Sequence, residues 1–185
     1  MKRVRDNFKG FQVMDGYKSV GYFFKLPDHF ACLFPPHPDD VSPPHITYLI
    51  IGYLPMEYYE RFLALSREFF ASCKKTTAYL SGLDVFDTPS QKIYHVAITY
   101  DNDMHRLQKD LNHYLEDNGI VVNNPYSIYN PHVTLQYAPK TSTSYDAGLH
   151  GRIPEGSFDI SCVEIWDSKP LATIPFGDTL HETKC

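Results

Sequence analysis

Two tetrapeptides in the chain share one pattern: Pro44-His45-Ile46-Thr47 and Pro131-His132-Val133-Thr134. Each opens a β-branched, apolar run that reads as a strand. Side chains alternate across a strand, so His45 and Thr47 share one face, and so do His132 and Thr134. Two such strands facing each other would gather two imidazoles and two hydroxyls around one pocket. Phosphodiester cleavage needs that set. A neutral imidazole takes a proton from the attacking water or hydroxyl, and a protonated one gives a proton to the leaving oxygen. Histidine suits both tasks because its unperturbed pKa is about 6.5. The threonine hydroxyls can donate hydrogen bonds to the non-bridging phosphate oxygens. One such tetrapeptide is a weak signal, whereas two heading strand-like runs are a specific one.

The paired His-x-Thr strands resemble the 2H phosphoesterase superfamily, which includes RNA cyclic phosphodiesterases of the LigT type and phage enzymes that degrade cyclic oligonucleotides. The resemblance runs from about Gly21 to Pro175 and its specific content is the two tetrapeptides. It implies an α+β fold of two lobes, with two antiparallel sheets related by pseudo-twofold symmetry around a central cleft and helices outside. Residues 1–185 would form one such two-lobed domain. It further implies proton exchange by His45 and His132, phosphate binding by Thr47 and Thr134, and neither metal nor cofactor. Which histidine is the acid stays open at this stage. The expected substrate is a small nucleotide: a cyclic oligonucleotide or 2′-5′-linked signal, as for a viral enzyme that erases an immune signal in its host's cytoplasm. A 2′,3′-cyclic phosphate of RNA processing and a nucleotide-sequestering protein without turnover are the alternatives.

The elements that must position the motifs alternate along the chain. Tyr22 to Leu26 reads as a strand ended by Pro27. Phe34 to Pro44 is proline-rich and cannot be a helix. His45 to Tyr53 is a strand. A helix is expected from Pro55 to about Lys74, with Phe62, Leu65, Phe69, Phe70 and Cys73 at helical spacing. Thr76 to Val85 and Lys92 to Tyr100 read as strands around an Asp87-Thr88-Pro89-Ser90 turn. A second helix is expected over about Asp103 to Asn118, capped by Asp103 and stopped by Gly119. His132 to Tyr137, Ser157 to Trp166 and Leu171 to Pro175 complete the strands. The pattern is α+β with antiparallel pairing. Pro27 to Pro44 and Lys140 to Gly156 read as insertions able to border the cleft and set substrate choice.

Composition narrows the partners. The formal net charge is -5, against the basic face that tracking long nucleic acid requires. Fourteen Tyr and twelve Phe bring aromatics to 15%, which suits stacking on a short ligand, although most such rings fill cores. Tyr22 and Phe24 on the first strand, and Trp166 with Glu164 on a late one, are the candidate substrate-binding residues. Tyr48 and Tyr137 have the wrong parity and are expected in the core. His95, His105 and His113 lack metal-ligand spacing, and His95 does not start a third motif. Neither a glycine-rich phosphate loop nor a nucleophile elbow occurs. Cys32, Cys73, Cys162 and Cys185 show no zinc spacing and read as reduced thiols. Met1 to Asp6 are basic and polar without an apolar run behind them, and no stretch approaches the roughly 20 apolar residues of a membrane span. A cytoplasmic protein is expected.

Overall fold

The computed structural model describes residues 15–35, 43–126, 128–167 and 169–177. Residues 36–42 of the proline-rich loop, the basic start Met1 to Asp6, and Cys185 lie outside them. The elements are β1 (Tyr17–Lys25), α1 (Asp28–Ala31), β2 (His45–Pro55), a 3-10 turn (Met56–Tyr58), α2 (Tyr59–Phe70), β3 (Thr76–Asp87), β4 (Gln91–Tyr100), α3 (Met104–Asp117), β5 (His132–Pro139), α4 (Ala147–His150), β6 (Gly156–Ile160), β7 (Cys162–Asp167) and β8 (Lys169–Pro175). They build two antiparallel four-stranded sheets, ordered β2-β1-β7-β8 and β5-β4-β3-β6. Each motif strand is the edge of its own sheet.

The second helix forms where its stripe predicts, while the first is shorter than expected: Pro55 ends β2, and Cys73 lies past the end of α2 at Phe70. In α2, Phe62, Leu63, Ser66 and Phe70 are buried, and Leu65 and Phe69 pack partly buried against them. Asp103 caps α3 by accepting the Arg106 backbone N–H at 3.0 Å. Gly119 ends it at a φ of 78°, a left-handed conformation that costs glycine nothing. Both helices seal the core against the faces of the sheets turned away from the motif residues.

Two expectations need correction. Ser157 to Trp166 is not one strand but two: β6 closes the second sheet and β7 enters the first. The phase of burial changes at Ser161, from Phe158 and Ile160 to Val163 and Ile165, which turns each half towards a different partner. The insertion after β1 is likewise more than loop. It starts with α1, whose Phe30 packs on Phe158 of β6 at 5.3 Å, and Phe34 is buried in the core. The later insertion is fastened to the β3–β4 hairpin. Lys140 pairs with Asp87 and donates to the Thr88 carbonyl, while Ser142 meets Lys92 and Tyr94.

The two sheets repeat each other in register. In the first, Thr47 pairs with Phe23, and Phe23 with Glu164. In the second, Thr134 pairs with His95, and His95 with Asp84. A register shift directly follows each threonine, leaving Tyr48 and Leu135 as extra residues on the two motif strands. Such bulges twist a strand and re-aim its side chains.

Candidate active site

Proline sets up both histidines. Pro44 and Pro131 confine the residue before each of them to extended backbone. That aims the carbonyls of Pro43 and Asn130 back at the rings: His45 Nδ1 and His132 Nδ1 each lie 2.8 Å from the carbonyl two residues upstream. A carbonyl can only accept, so both Nδ1 atoms carry the proton of the neutral ring. The proline carbonyls are used as well, Pro44 accepting from Leu26 N–H at 3.4 Å and Pro131 from Ile98 N–H at 3.0 Å. His45, Thr47, His132 and Thr134 are all half-buried, while Ile46 and Val133 between them are core.

Each imidazole rests edge-on against a stacked pair of rings. His45 meets Phe23 at 5.2 Å and Trp166 at 4.9 Å, and those two rings stack at 4.8 Å and 17°. His132 meets Phe86 at 4.8 Å and His95 at 5.0 Å, and those two stack at 3.9 Å and 19°. Trp166 Nε1 donates to Glu164 at 2.6 Å, and on the matching strand the Asp84 carboxylate lies 3.9 Å from His95 Nε2.

Burial pushes His132 down from 6.5 to about 4. The Asn130 carbonyl pulls the other way, and charge on His95 or His45 lowers it further. At neutral pH, His132 is therefore an unprotonated acceptor at Nε2. Burial also lowers His95, opposed by the Ile93 carbonyl and Asp84.

The two motif strands are linked through the chain that leads into β5. Asn123 N–H bonds the Ile51 carbonyl at 3.0 Å, covering part of the β2 edge. Tyr129 packs edge-on against Tyr48 at 5.4 Å and shares a 2.7 Å hydroxyl contact with Tyr100. Gln108 of α3 reaches the carbonyl of the bulged Tyr48 at a long 3.5 Å.

Of the expected residues, His45 and His132 are thus close enough to feel each other's charge, with Thr47 and Thr134 beside them. Trp166 and Glu164 do lie next to His45, but the indole is 1% exposed and already stacked, so it is a wall behind the imidazole and not an open platform. Tyr22 and Phe24 are a correction. Both are buried on the opposite face of β1, Tyr22 against Phe62, Phe70 and Ser66 of the α2 region and Phe24 against Tyr48 and Phe176. Phe23, between them, faces the site because it is the cross-strand partner of Thr47. Phe23, Phe86, Asp84, His95 and Tyr129 were not anticipated. A signal existed for some of them: Leu83-Asp84-Val85-Phe86-Asp87 and Val163-Glu164-Ile165-Trp166-Asp167 follow one chemical pattern. Among the described residues no three His, Cys, Asp or Glu side chains gather as a metal site, and no helix is long and apolar enough to cross a membrane.

A family model described as the 2′-5′ RNA ligase superfamily matches residues 28–169. No curated protein matches the chain significantly. Among solved structures it is similar to TT0787 of Thermus thermophilus, at 18% identity and a TM-score of 0.59, covering 86% of this chain and 98% of that one. It is similar to E. coli LigT complexed with 3′-AMP, at 15% identity and 0.60, covering 86% and 98%. It is also similar to Kluyveromyces marxianus Usb1 with uridine monophosphate, at 14% identity and 0.54, covering 86% and 99%. At such identities the likeness speaks for the fold.

Proposed function

The chain belongs to the 2′-5′ RNA ligase superfamily, the 2H phosphoesterases, and we propose that it is a metal-independent phosphodiesterase whose substrate is a small nucleotide, a cyclic oligonucleotide or a 2′-5′-linked signal. The observation that carries this reading is the matched pair of histidines, each with Nδ1 tied to an upstream carbonyl and a threonine two residues on. Binding alone would require no such pair of proton carriers.

In this mechanism His132, held neutral, takes the proton of the attacking water at Nε2. The water oxygen adds to phosphorus as the bond to the leaving oxygen breaks, and His45 gives its Nε2 proton to that oxygen. Water then exchanges the protons back for the next turnover. Thr47 and Thr134 hydroxyls donate to the non-bridging oxygens, where charge builds up. The size of the substrate is supported by the relatives solved with 3′-AMP, NADP+ and uridine monophosphate, and by the chain's net negative charge, which disfavours long nucleic acid.

The test is to incubate the protein with EDTA and a panel of cyclic di- and trinucleotides, 2′-5′-linked oligonucleotides and 2′,3′-cyclic phosphates. Turnover of the first two groups, unaffected by EDTA and lost in His45→Ala and His132→Ala, is the expected result. Cleavage confined to 2′,3′-cyclic phosphates would replace the substrate reading, and activity abolished by EDTA would defeat the metal-free mechanism. Tight binding without turnover would identify a sequestering protein instead.

A further inference from the structure

Among the described residues a third imidazole, His95, stands beside the two that the mechanism employs, and it is peculiar. His95 is fully buried, its Nδ1 faces the Ile93 carbonyl at 3.2 Å, and among the described residues its Nε2 has no hydrogen-bond partner. Nδ1 must hold the proton for the Ile93 contact, which leaves Nε2 as a buried lone pair. The Asp84 carboxylate stands 3.9 Å from it, outside hydrogen-bond distance and itself an acceptor. A buried lone pair facing a carboxylate is unfavourable until a proton comes between them, although the Asp84 side chain is itself exposed.

The matching position in the other sheet shows what a filler alone requires. Phe23 is the cross-strand partner of Thr47, as His95 is of Thr134. Phe23 supports His45 and stacks on Trp166, as His95 supports His132 and stacks on Phe86. A ring without nitrogen does that work and leaves no orphan polar atom. The imidazole at position 95 has a different task.

We propose that His95 is a positioning residue for His132, a buried third imidazole that takes up the site's charge in place of His132 and leaves His132 free to accept the substrate's proton. The inference rests on reading His132 as a proton carrier. Two imidazoles with centroids 5.0 Å apart in a buried place resist being charged together. Burial disfavours charge on both, and what separates them is their neighbours. His95 on β4 is faced by the Asp84 carboxylate from β3, which favours its charge. The titratable neighbours of His132 are His95 from β4 and His45 from β2, and both oppose its charge. A proton entering the pair therefore settles on His95, beside Asp84, and while it stays there it repels a second from His132.

Two variants test this in the full chain. His95→Phe places in the second sheet the residue that the first sheet already uses, and Asp84→Asn changes an exposed carboxylate while keeping the ring. Histidine ring resonances are followed by NMR as pH falls, alongside the pH profile of kcat/KM on whichever nucleotide is cleaved. Both variants should raise the midpoint of His132. For a rise of one unit, activity at pH 5 relative to pH 7.5 should drop about twofold below wild type, since a base titrating at about 4 is almost wholly unprotonated there and one titrating a unit higher is only half so. An unchanged His132 midpoint in Asp84→Asn and in a folded His95→Phe would reduce His95 to a filler and overturn the proposal. If the wild type cleaves nothing while the midpoint still moves, the phosphodiesterase reading fails, and the division of charge between His95 and His132 stands without its catalytic use. Turnover with an unmoved midpoint upholds the phosphodiesterase and sinks the inference.

Discussion

At the scale of single residues, what the motif sets and what the surroundings add can be told apart at His132. Both motifs fix Nδ1 on a carbonyl that the following proline holds in place. Yet His132 is driven down to about 4, chiefly by burial. The sign of the consequence follows from linkage. In the unfolded chain the ring titrates near 6.5, so between that value and about 4 the unfolded state binds a proton that the folded state refuses. Stability should therefore be independent of this group above pH 6.5 and should fall as pH drops through the window below it. His132→Gln removes the group, and urea midpoints measured from pH 7 to pH 4 should then decline less steeply than in wild type. Identical slopes would show that His132 is not held neutral. If His132 is the base, the same depression keeps it competent in acid, and the acid limb of kcat/KM should lie near pH 4, well below the range of an ordinary imidazole.

At the scale of elements, strands carried most of what the sequence could say. The period-two pattern of β2 and β5 and the stripes of α2 and α3 are local, and they were legible for that reason. The face of β1 turned to the site was not. It depends on which residue of β2 pairs with Phe23, a long-range fact, and the expectation of Tyr22 and Phe24 fell on the wrong side by one residue. The bulges at Tyr48 and Leu135 have no local signature either, since an inserted residue looks like any other apolar strand residue. The segment before β5 was equally silent, although it fastens one motif strand to the other. Its anchor is Tyr129, wedged against Tyr48 and sharing a hydrogen bond with Tyr100. Tyr129→Phe keeps the ring but removes the partner of the half-buried Tyr100 hydroxyl, which should cost about 1 kcal/mol in denaturant unfolding. Because the ring still holds the strands together, kcat should change little. A large loss of kcat without loss of stability would mean that the hydroxyl, and not the packing, sets the spacing of the motifs.

At the scale of the whole molecule, the site exists because two copies of one arrangement face each other. Thr47, Phe23 and Glu164 across the first sheet answer Thr134, His95 and Asp84 across the second. The tetrapeptides announced this symmetry through near-identity. The supporting strands hid it, because they preserve chemical type in Asp84-Val85-Phe86 and Glu164-Ile165-Trp166 without preserving residues. The halves differ in what stands behind each motif histidine. An indole bound to its own carboxylate backs His45, and an imidazole near a carboxylate backs His132. Such a division of labour predicts how the halves combine. If His132 removes a proton and His45 delivers one within the same displacement, neither contributes without the other. Each single alanine variant should then lower kcat by about 10²–10⁴-fold, the range for general acid–base groups. The double variant His45→Ala with His132→Ala should lose scarcely more than the weaker single, because the second change removes a group already idle. Independent binding contributions would multiply instead. Steady-state kcat for the four proteins on one substrate separates the cases, and a double variant equal to the product of the singles would refute concerted action by the two halves.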